Sequence, residues 1–216
     1  MAPADLAAPA PERIAAVVRR AIDIVVATVA LAALSPLFLI TALAVIIDSP
    51  GSAFFRGWRV GKDGRLFRMW KFRSMTKGAE KGAPITGAND ARVTGVGRLL
   101  RRTKLDELPQ FLNVLTGDMT LVGPRPEAPE VVARYTPRQR AVLGVRPGVT
   151  GRAQLDAGEE PESIPEGVDP HEYYVERLME PKLQRDLEYL SVRTPLSDAR
   201  IVFETATYML RSLAGK

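Results

Sequence analysis

AIDIVVATVALAALSPLFLITALAVII, residues 21–47, decides how this chain is organised. Asp23 is its one charged residue, and its length is that of a transmembrane helix. It is too long for the apolar core of a signal peptide, and no small-residue cleavage site follows it. Two features argue against a simple span. Ser35-Pro36 sits in the middle, where proline lacks an N–H and its ring crowds the carbonyl four residues back. Positive charge also flanks both ends, with Arg13, Arg19 and Arg20 before the run and Arg56, Arg59, Lys62 and Arg65 after it. By the positive-inside rule both ends favour the cytoplasm. A helix–break–helix hairpin that enters one leaflet and returns satisfies both observations. Residues 21–34 reach only about 21 Å at 1.5 Å per residue, less than the roughly 30 Å hydrocarbon core. Asp23 follows Arg20 by three residues and Arg19 by four, so it is expected to pair with them at the interface. The alternative is a proline-kinked span, which membranes tolerate.

Outward from this segment, residues 1–11 (MAPADLAAPAP) read as a flexible tail, residues 12–50 as the membrane hairpin and residues 51–216 as a cytoplasmic domain. The net charge of +5 hides a strong polarity. Residues 53–104 hold fourteen Lys/Arg against three Asp/Glu, whereas residues 156–180 hold nine acids and one base, Arg177. A basic block of this kind faces anionic lipid, nucleic acid or phosphorylated substrates, unless it is simply a solvated surface. There is no cysteine and one histidine, His171. Disulfides, cysteine-based zinc sites and thiol nucleophiles are thereby excluded, so any catalysis rests on carboxylates, lysine, arginine or hydroxyls.

AFFRGWRV-GKDG-RLFRMWKF, residues 53–72, predicts a β-hairpin with a Gly-Lys-Asp-Gly turn. Phe54, Phe55, Trp58 and Trp70, interleaved with basic residues, are expected on its surface. Residues 76–90, rich in Gly, Lys and Ala, form a loop. VGRLLRRTKLDELPQFLNVLTGDM has helical apolar spacing, with Pro109 marking a start or a kink. GPRPEAPEVV reads as a turn into a helix and VRPGVTG as a further turn; residues 156–170 are an acidic, Pro-rich loop. Helices are expected at about 171–191 and 195–213. The last is amphipathic, with Ile201, Val202, Tyr208, Met209 and Leu213 available to pack or to lie on lipid. The fold class is α+β, mostly helical, with a small sheet and interfacial helices.

LDELPQ, residues 105–110, carries the chemistry. Adjacent carboxylates commonly cap or solvate a helix end. Here Arg101, Arg102 and Lys104 immediately upstream can hold a phosphate against them. A carboxylate so placed can accept a phosphoryl group as a nucleophile or hold Mg²⁺ against a diphosphate.

KFRSM (71–75), LDELPQ (105–110), LTGDMTLVGPRPE (115–127) and RPGVTGRAQ (146–154) resemble, in the same order, the bacterial sugar transferase family. The segments RRAIDI…SP upstream and KLQRDLEYLS…LSDARI (182–201) downstream resemble it too. The resemblance implies a monotopic polyprenyl-phosphate sugar-1-phosphate transferase in its short form, with a re-entrant helix broken at Ser35-Pro36. It implies a UDP-sugar donor, a polyprenyl (undecaprenyl) phosphate acceptor, contact with membrane lipid at the cytoplasmic face of the bacterial inner membrane, and no nucleic acid. Oligomerisation stays open. By the same resemblance Asp106 is the nucleophile that forms a covalent phosphosugar, and Glu107 supports it. With no cysteine and no histidine near the dyad, the cofactor is expected to be a hard, oxygen-ligated ion, Mg²⁺ or Mn²⁺, with Asp106 as its protein ligand. Lys71, Arg73, Arg125 and Arg101 are expected to bind phosphate, with Asp186 as a further substrate contact and Asp198 equally a substrate contact or a helix N-terminal stabiliser. Gly57, where many members carry Gln near the Arg-Val-Gly of the hairpin, and Arg152, where an aromatic residue is common, depart from the pattern.

Overall fold

The structure, a computed structural model, describes residues 10–79, 90–157, 164–165 and 167–213. Nearly all of the expected tail, most of the Gly-, Lys- and Ala-rich loop and half of the acidic loop lie outside these residues. Helix α1 (Ala10–Ala33) and helix α2 (Ser35–Asp48) meet at Leu34, and the pair is bent by 63°. The missing N–H of Pro36 would have served the Ala32 carbonyl. Instead the Ser35 hydroxyl donates to that oxygen at 2.8 Å, so the break leaves no orphan there. Among the described residues no single helix is long and apolar enough to cross a membrane; by length and composition only the bent pair qualifies.

Asp23 does not pair with its neighbouring arginines. It is buried, and accepts from Thr120 Oγ1 at 2.7 Å and from the Leu121 N–H at 2.9 Å. Arg20 donates to the Val114 and Leu115 carbonyls, and Arg19 to Asp198 at 3.1 Å. Helical spacing permits an Asp–Arg pair, but an exposed pair contributes little. Two donors in a buried setting, one an otherwise unpaired backbone N–H, favour the other geometry. These three side chains dock α1 onto the rest of the chain.

The expected hairpin is strand β1 (Phe54–Val60) antiparallel to strand β2 (Leu66–Phe72), closed by a turn in which Asp63 takes a left-handed φ of 56°. Phe55 and Trp58 are exposed as anticipated. Phe54 and Trp70 are half-buried: Phe54 stacks on Phe72 at 5.2 Å and meets Trp70 edge-on at 5.7 Å. Helices α3 (Gly95–Arg102) and α4 (Gln110–Thr116) follow, with Pro109 at the start of α4. A Cβ on Gly97 would stand 2.0 Å from the Ser74 carbonyl oxygen, so α3 can lie on the end of the hairpin only because this residue is glycine. Strand β3 (Thr120–Val122), helix α5 (Pro129–Val132), strand β4 (Gly148–Thr150, parallel to β3) and helix α6 (Arg152–Ala157) complete the middle of the chain. Helix α7 (Pro170–Tyr173) runs through a π-helical turn, Tyr174–Leu178, into helix α8 (Met179–Val192), and helix α9 (Pro195–Leu213) ends the described chain. Part of the apolar face expected on α9 turns inward: Ile201 is buried with Leu121 and Val122 and Val202 packs against them, whereas Tyr208, Phe203 and Leu210 are exposed.

Candidate active site

The dyad sits on a single turn built by three local features. Lys104 adopts a left-handed conformation (φ 56°, ψ 14°), Leu105–Glu107 form one 3₁₀ turn, and Pro109 opens α4 directly afterwards. Leu105 packs beside Phe72 and Leu100, which fixes the turn against the hairpin. The buried Asn113 of α4 fixes the hairpin from the other side. Its side chain accepts from the Trp70 N–H and donates to the Arg68 carbonyl, both at 2.9 Å, like an extra strand partner. Lys71, next along β2, is thereby aimed at the dyad.

Glu107 is held by two cations from separate motifs. Lys71 Nζ donates to Oε1 at 2.7 Å, and Arg125 is bidentate at 2.5 and 3.1 Å. Burial pushes this carboxyl up, but Arg125 and Lys71 outweigh it and hold Glu107 well below the usual carboxylate range. Asp106, one residue away and only 6% exposed, receives no side-chain or backbone hydrogen bond from the described residues. Burial dominates there and raises its pKa; Lys71 opposes the rise and the Glu107 charge adds to it. Two adjacent carboxylates thus lie in opposite electrostatic states. One is a fixed anion in a cationic fork, the other a desolvated group without donors.

Both line an open cleft of about 1250 Å³, large for a single small ligand and bounded by the hairpin, the dyad turn, the Arg125 loop and α9. Arg101 and Arg73 line it too. Arg101 donates to Ser74 Oγ at 2.9 Å, and burial lowers its pKa. Arg73 donates to the Ser49 and Pro50 carbonyls, tying the hairpin to the chain just past α2, and its Nε is buried without a partner. Lys71, Arg101, Arg125, Asp106 and Glu107 are therefore brought together, with Arg73 in the same wall but turned to the backbone. Asp186 is buried on α8 and does not line the cleft; it lies near Tyr135 in a cluster that includes Glu127 and Lys182. Asp198 accepts from Arg19, from Tyr189 Oη at 2.6 Å and from Arg193 at 2.9 Å, a latch between α1, α8 and α9.

Two features of the cleft escape sequence reasoning. Glu127, two residues past Arg125, accepts from Tyr174 Oη at 2.5 Å and from Lys182 Nζ at 2.9 Å, and Lys182 also donates to Tyr174 Oη at 2.8 Å. Burial pushes Glu127 up, but Lys182 and Tyr174 outweigh it and the net shift is downward. The π-helical turn begins at Tyr174, and such turns often accompany functional sites. Arg59 is the second. It projects into the cleft beside Gly57, where a Cβ would come within 3.2 Å of the Arg59 NH1. Burial lowers the Arg59 pKa, and among the described residues it has no carboxylate within ion-pair distance.

A divalent cation has limited provision here. Among the described residues no three acidic or histidine side chains cluster as a ready-made cage. Glu107 is already engaged through both oxygens, which leaves Asp106 as the carboxylate with free acceptor capacity. That suits Mg²⁺, which commonly binds through one or two carboxylates and takes its other ligands from substrate phosphates and water.

Comparison with known proteins places the chain. It is 43% identical over 196 residues to the UDP-glucose:undecaprenyl-phosphate glucose-1-phosphate transferase of Escherichia coli (strain K12), covering 87% of this chain and 39% of that protein. It is 37% identical to the UDP-N-acetylgalactosamine-undecaprenyl-phosphate N-acetylgalactosaminephosphotransferase of Aeromonas hydrophila, over 95% of this chain and 47% of that one. The chain thus spans less than half the length of these two relatives. Against the exopolysaccharide production protein PSS of Rhizobium leguminosarum bv. phaseoli, at 36% identity, the match covers 88% of this chain and 93% of the relative. The family model for bacterial sugar transferases matches residues 14–212, and with so little of the sequence left outside that match the chain belongs to this family.

Proposed function

We propose that the chain transfers a sugar-1-phosphate from a UDP-sugar to polyprenyl phosphate, releasing UMP, as the first membrane step of glycoconjugate assembly. The observation that carries this reading is the asymmetry of the dyad: a donor-free, buried Asp106 next to a Glu107 clamped by Lys71 and Arg125. The names of the relatives supply the donor and acceptor classes.

In the reaction an Asp106 carboxylate oxygen attacks the sugar-proximal phosphorus. The bond from that phosphorus to the bridging oxygen breaks, and UMP leaves with the electron pair. Asp106 then carries an acyl phosphate bonded to the sugar. A phosphate oxygen of the polyprenyl acceptor attacks the same phosphorus, the aspartyl bond breaks, and the carboxylate returns with polyprenyl-diphosphate sugar as product. The acceptor is already ionised, so no general base is required. Lys71, Arg125, Arg101 and Arg59 supply positive potential where charge builds on the transferring group. Glu107 keeps Lys71 and Arg125 in place and tempers their charge so that the products can leave. Asp106, the carboxylate with free acceptor capacity, would hold Mg²⁺, which would supply charge screening for the donor diphosphate.

The bent α1–α2 pair enters the cytoplasmic leaflet of the bacterial inner membrane and returns. Its outward faces are apolar, with Leu39, Ile40 and Ile47 each more than 60% exposed. This brings a lipid acceptor and a soluble donor to the same cleft. The test is steady-state UMP release from a panel of UDP-sugars with polyprenyl phosphate and Mg²⁺. Turnover with at least one sugar, abolished by chelator and restored by Mg²⁺, is expected. No turnover with any UDP-sugar would contradict the reading, and full turnover in chelator would remove the metal from it.

A further inference from the structure

On the face of the hairpin opposite Lys71 and Arg59, at the rim of the cleft that Arg56, Trp58 and Arg68 also line, Arg56 stands directly across from Trp70 and Trp58 directly across from Arg68. The two pairs alternate, so each guanidinium lies over the opposite indole: Arg56 is 4.2 Å from the Trp70 ring centre and Arg68 is 4.4 Å from that of Trp58. Arg68 also donates to the Arg56 carbonyl at 3.2 Å, which ties the pairs into one tile. Trp58 is 49% exposed, and both arginines are exposed. Neither arginine has a carboxylate partner among the described residues, and neither strand contains an acid. Stacking on indole holds a guanidinium without neutralising it, so the tile presents two fixed charges outward.

The tile is continuous with the apolar helix pair. Phe54 and Phe72 are the next cross-strand pair on this face of the hairpin, and Phe72 packs on Phe38 of α2 at 5.3 Å. Moving away from α2, the aliphatic exterior is therefore joined to the arginine–indole tile by a packed phenylalanine layer, in which Phe72 is buried and Phe54 half-buried. Aromatic rings bordered by cations are the side-chain chemistry of a membrane–water boundary, and a tile with no acid complements anionic headgroups in particular.

We infer that this face of the hairpin binds the headgroups of anionic phospholipids and prefers them over zwitterionic ones. The inference rests on the membrane placement of α1 and α2 proposed above. The helix pair supplies insertion without regard to headgroup, and the tile supplies headgroup preference and fixes how the cleft meets the membrane surface.

Trp58 and Trp70 are the only tryptophans in the chain, so the protein carries its own probe at this tile. The full-length chain would be placed in phosphatidylcholine nanodiscs containing a small, equal fraction of either brominated phosphatidylglycerol or brominated phosphatidylcholine. Tryptophan emission would then be recorded. Local enrichment of the anionic lipid on the order of tenfold is expected from two arginines at the surface, read as stronger quenching by brominated phosphatidylglycerol. The difference should shrink at high salt and vanish in the doubly substituted Arg56→Gln, Arg68→Gln protein, whose exposed substitutions leave the hairpin core intact. If the chain enters the discs and both lipids quench equally, or neither quenches, the inference falls while the membrane placement stands. If the chain does not enter neutral discs at all, the placement fails and the inference with it. Relief of quenching by substoichiometric polyprenyl phosphate would assign the face to the acceptor and overturn the inference.

Discussion

Glu107 and Glu127 are two partly buried glutamates on the same cleft, each gripped by a lysine, at 2.7 Å from Lys71 and 2.9 Å from Lys182. Around Glu127 the arrangement closes on itself, because Lys182 and Tyr174 bond each other as well as the carboxylate. Around Glu107 it does not. The cations there converge on one carboxylate, while the neighbouring Asp106 has no donor among the described residues. A buried charge that is fully answered by protein groups stabilises a local shape; one left unanswered stores desolvation that a ligand can relieve. On the function proposed above, the comparison separates a structural centre from a reactive one although their lysine–glutamate geometry is nearly the same.

The sharpest way to break this separation is Asp106→Asn. It keeps the shape and removes the attacking charge, and turnover measured as UMP release should fall to background. Arg125→Ala leaves Glu107 with Lys71 alone and removes a donor to the transferring phosphoryl group. A loss of about 10²–10³ in turnover is expected, as for other single oxyanion donors.

Acidity gives a third contrast. The Asp106 pKa is raised by burial, so its protonated form persists above the ordinary aspartate range. An attacking carboxylate must be ionised, so kcat/KM should fall about tenfold per pH unit below an acid limb lying above that range. Glu107 is depressed and stays ionised across the same interval. Its contribution to stability is present above the ordinary glutamate range and lost only as the pH falls through its lowered value. An acid limb within or below the ordinary range would place the limiting carboxylate elsewhere.

Lys182→Met should have the smallest effect on turnover per folded molecule. It leaves the partly buried Glu127 without its cation, however, and should lower stability by about 1–3 kcal/mol in denaturant unfolding. Adding Glu127→Gln should return part of that loss. If Lys182→Met instead abolished turnover with little change in stability, the closed centre would belong to the reactive one.

Much of this was legible in the sequence because the signals are local. The break at Ser35-Pro36, the hairpin around Gly-Lys-Asp-Gly and the start of α4 at Pro109 each follow from a residue's own backbone restrictions. The dyad and the residues that clamp Glu107, Lys71 and Arg125, each lie within short motifs that could be read locally. What was not legible depends on distant partners. Asp23 finds its donors ninety-seven and ninety-eight residues later on β3, so helical spacing pointed to the wrong pair. The Glu127 centre joins residues up to fifty-five positions apart through a π-helical turn that has no periodic signature. Arg73 sits in a recognisable motif, yet its guanidinium is drawn to the carbonyls just past α2. Asp186, chosen for its motif position, lies on α8 away from the cleft lining. Arg59 could have been found: it lies on the same hairpin face as Lys71, separated from it by the single pair Gly57–Met69.

The central claim, that Asp106 becomes covalently phosphorylated with the sugar, is most directly tested without any acceptor. The protein is mixed with a UDP-sugar that supports turnover, plus Mg²⁺, in the absence of polyprenyl phosphate, and both UMP and intact protein mass are followed. The account predicts a burst of UMP of up to one equivalent per enzyme and a mass increase of one phosphosugar on the peptide containing Asp106. Both should vanish in Asp106→Asn. No burst and no adduct, with UMP appearing only once acceptor is added, would indicate direct displacement and contradict the account. An adduct surviving in Asp106→Asn would move the nucleophile to another residue, with Glu107 the first to examine.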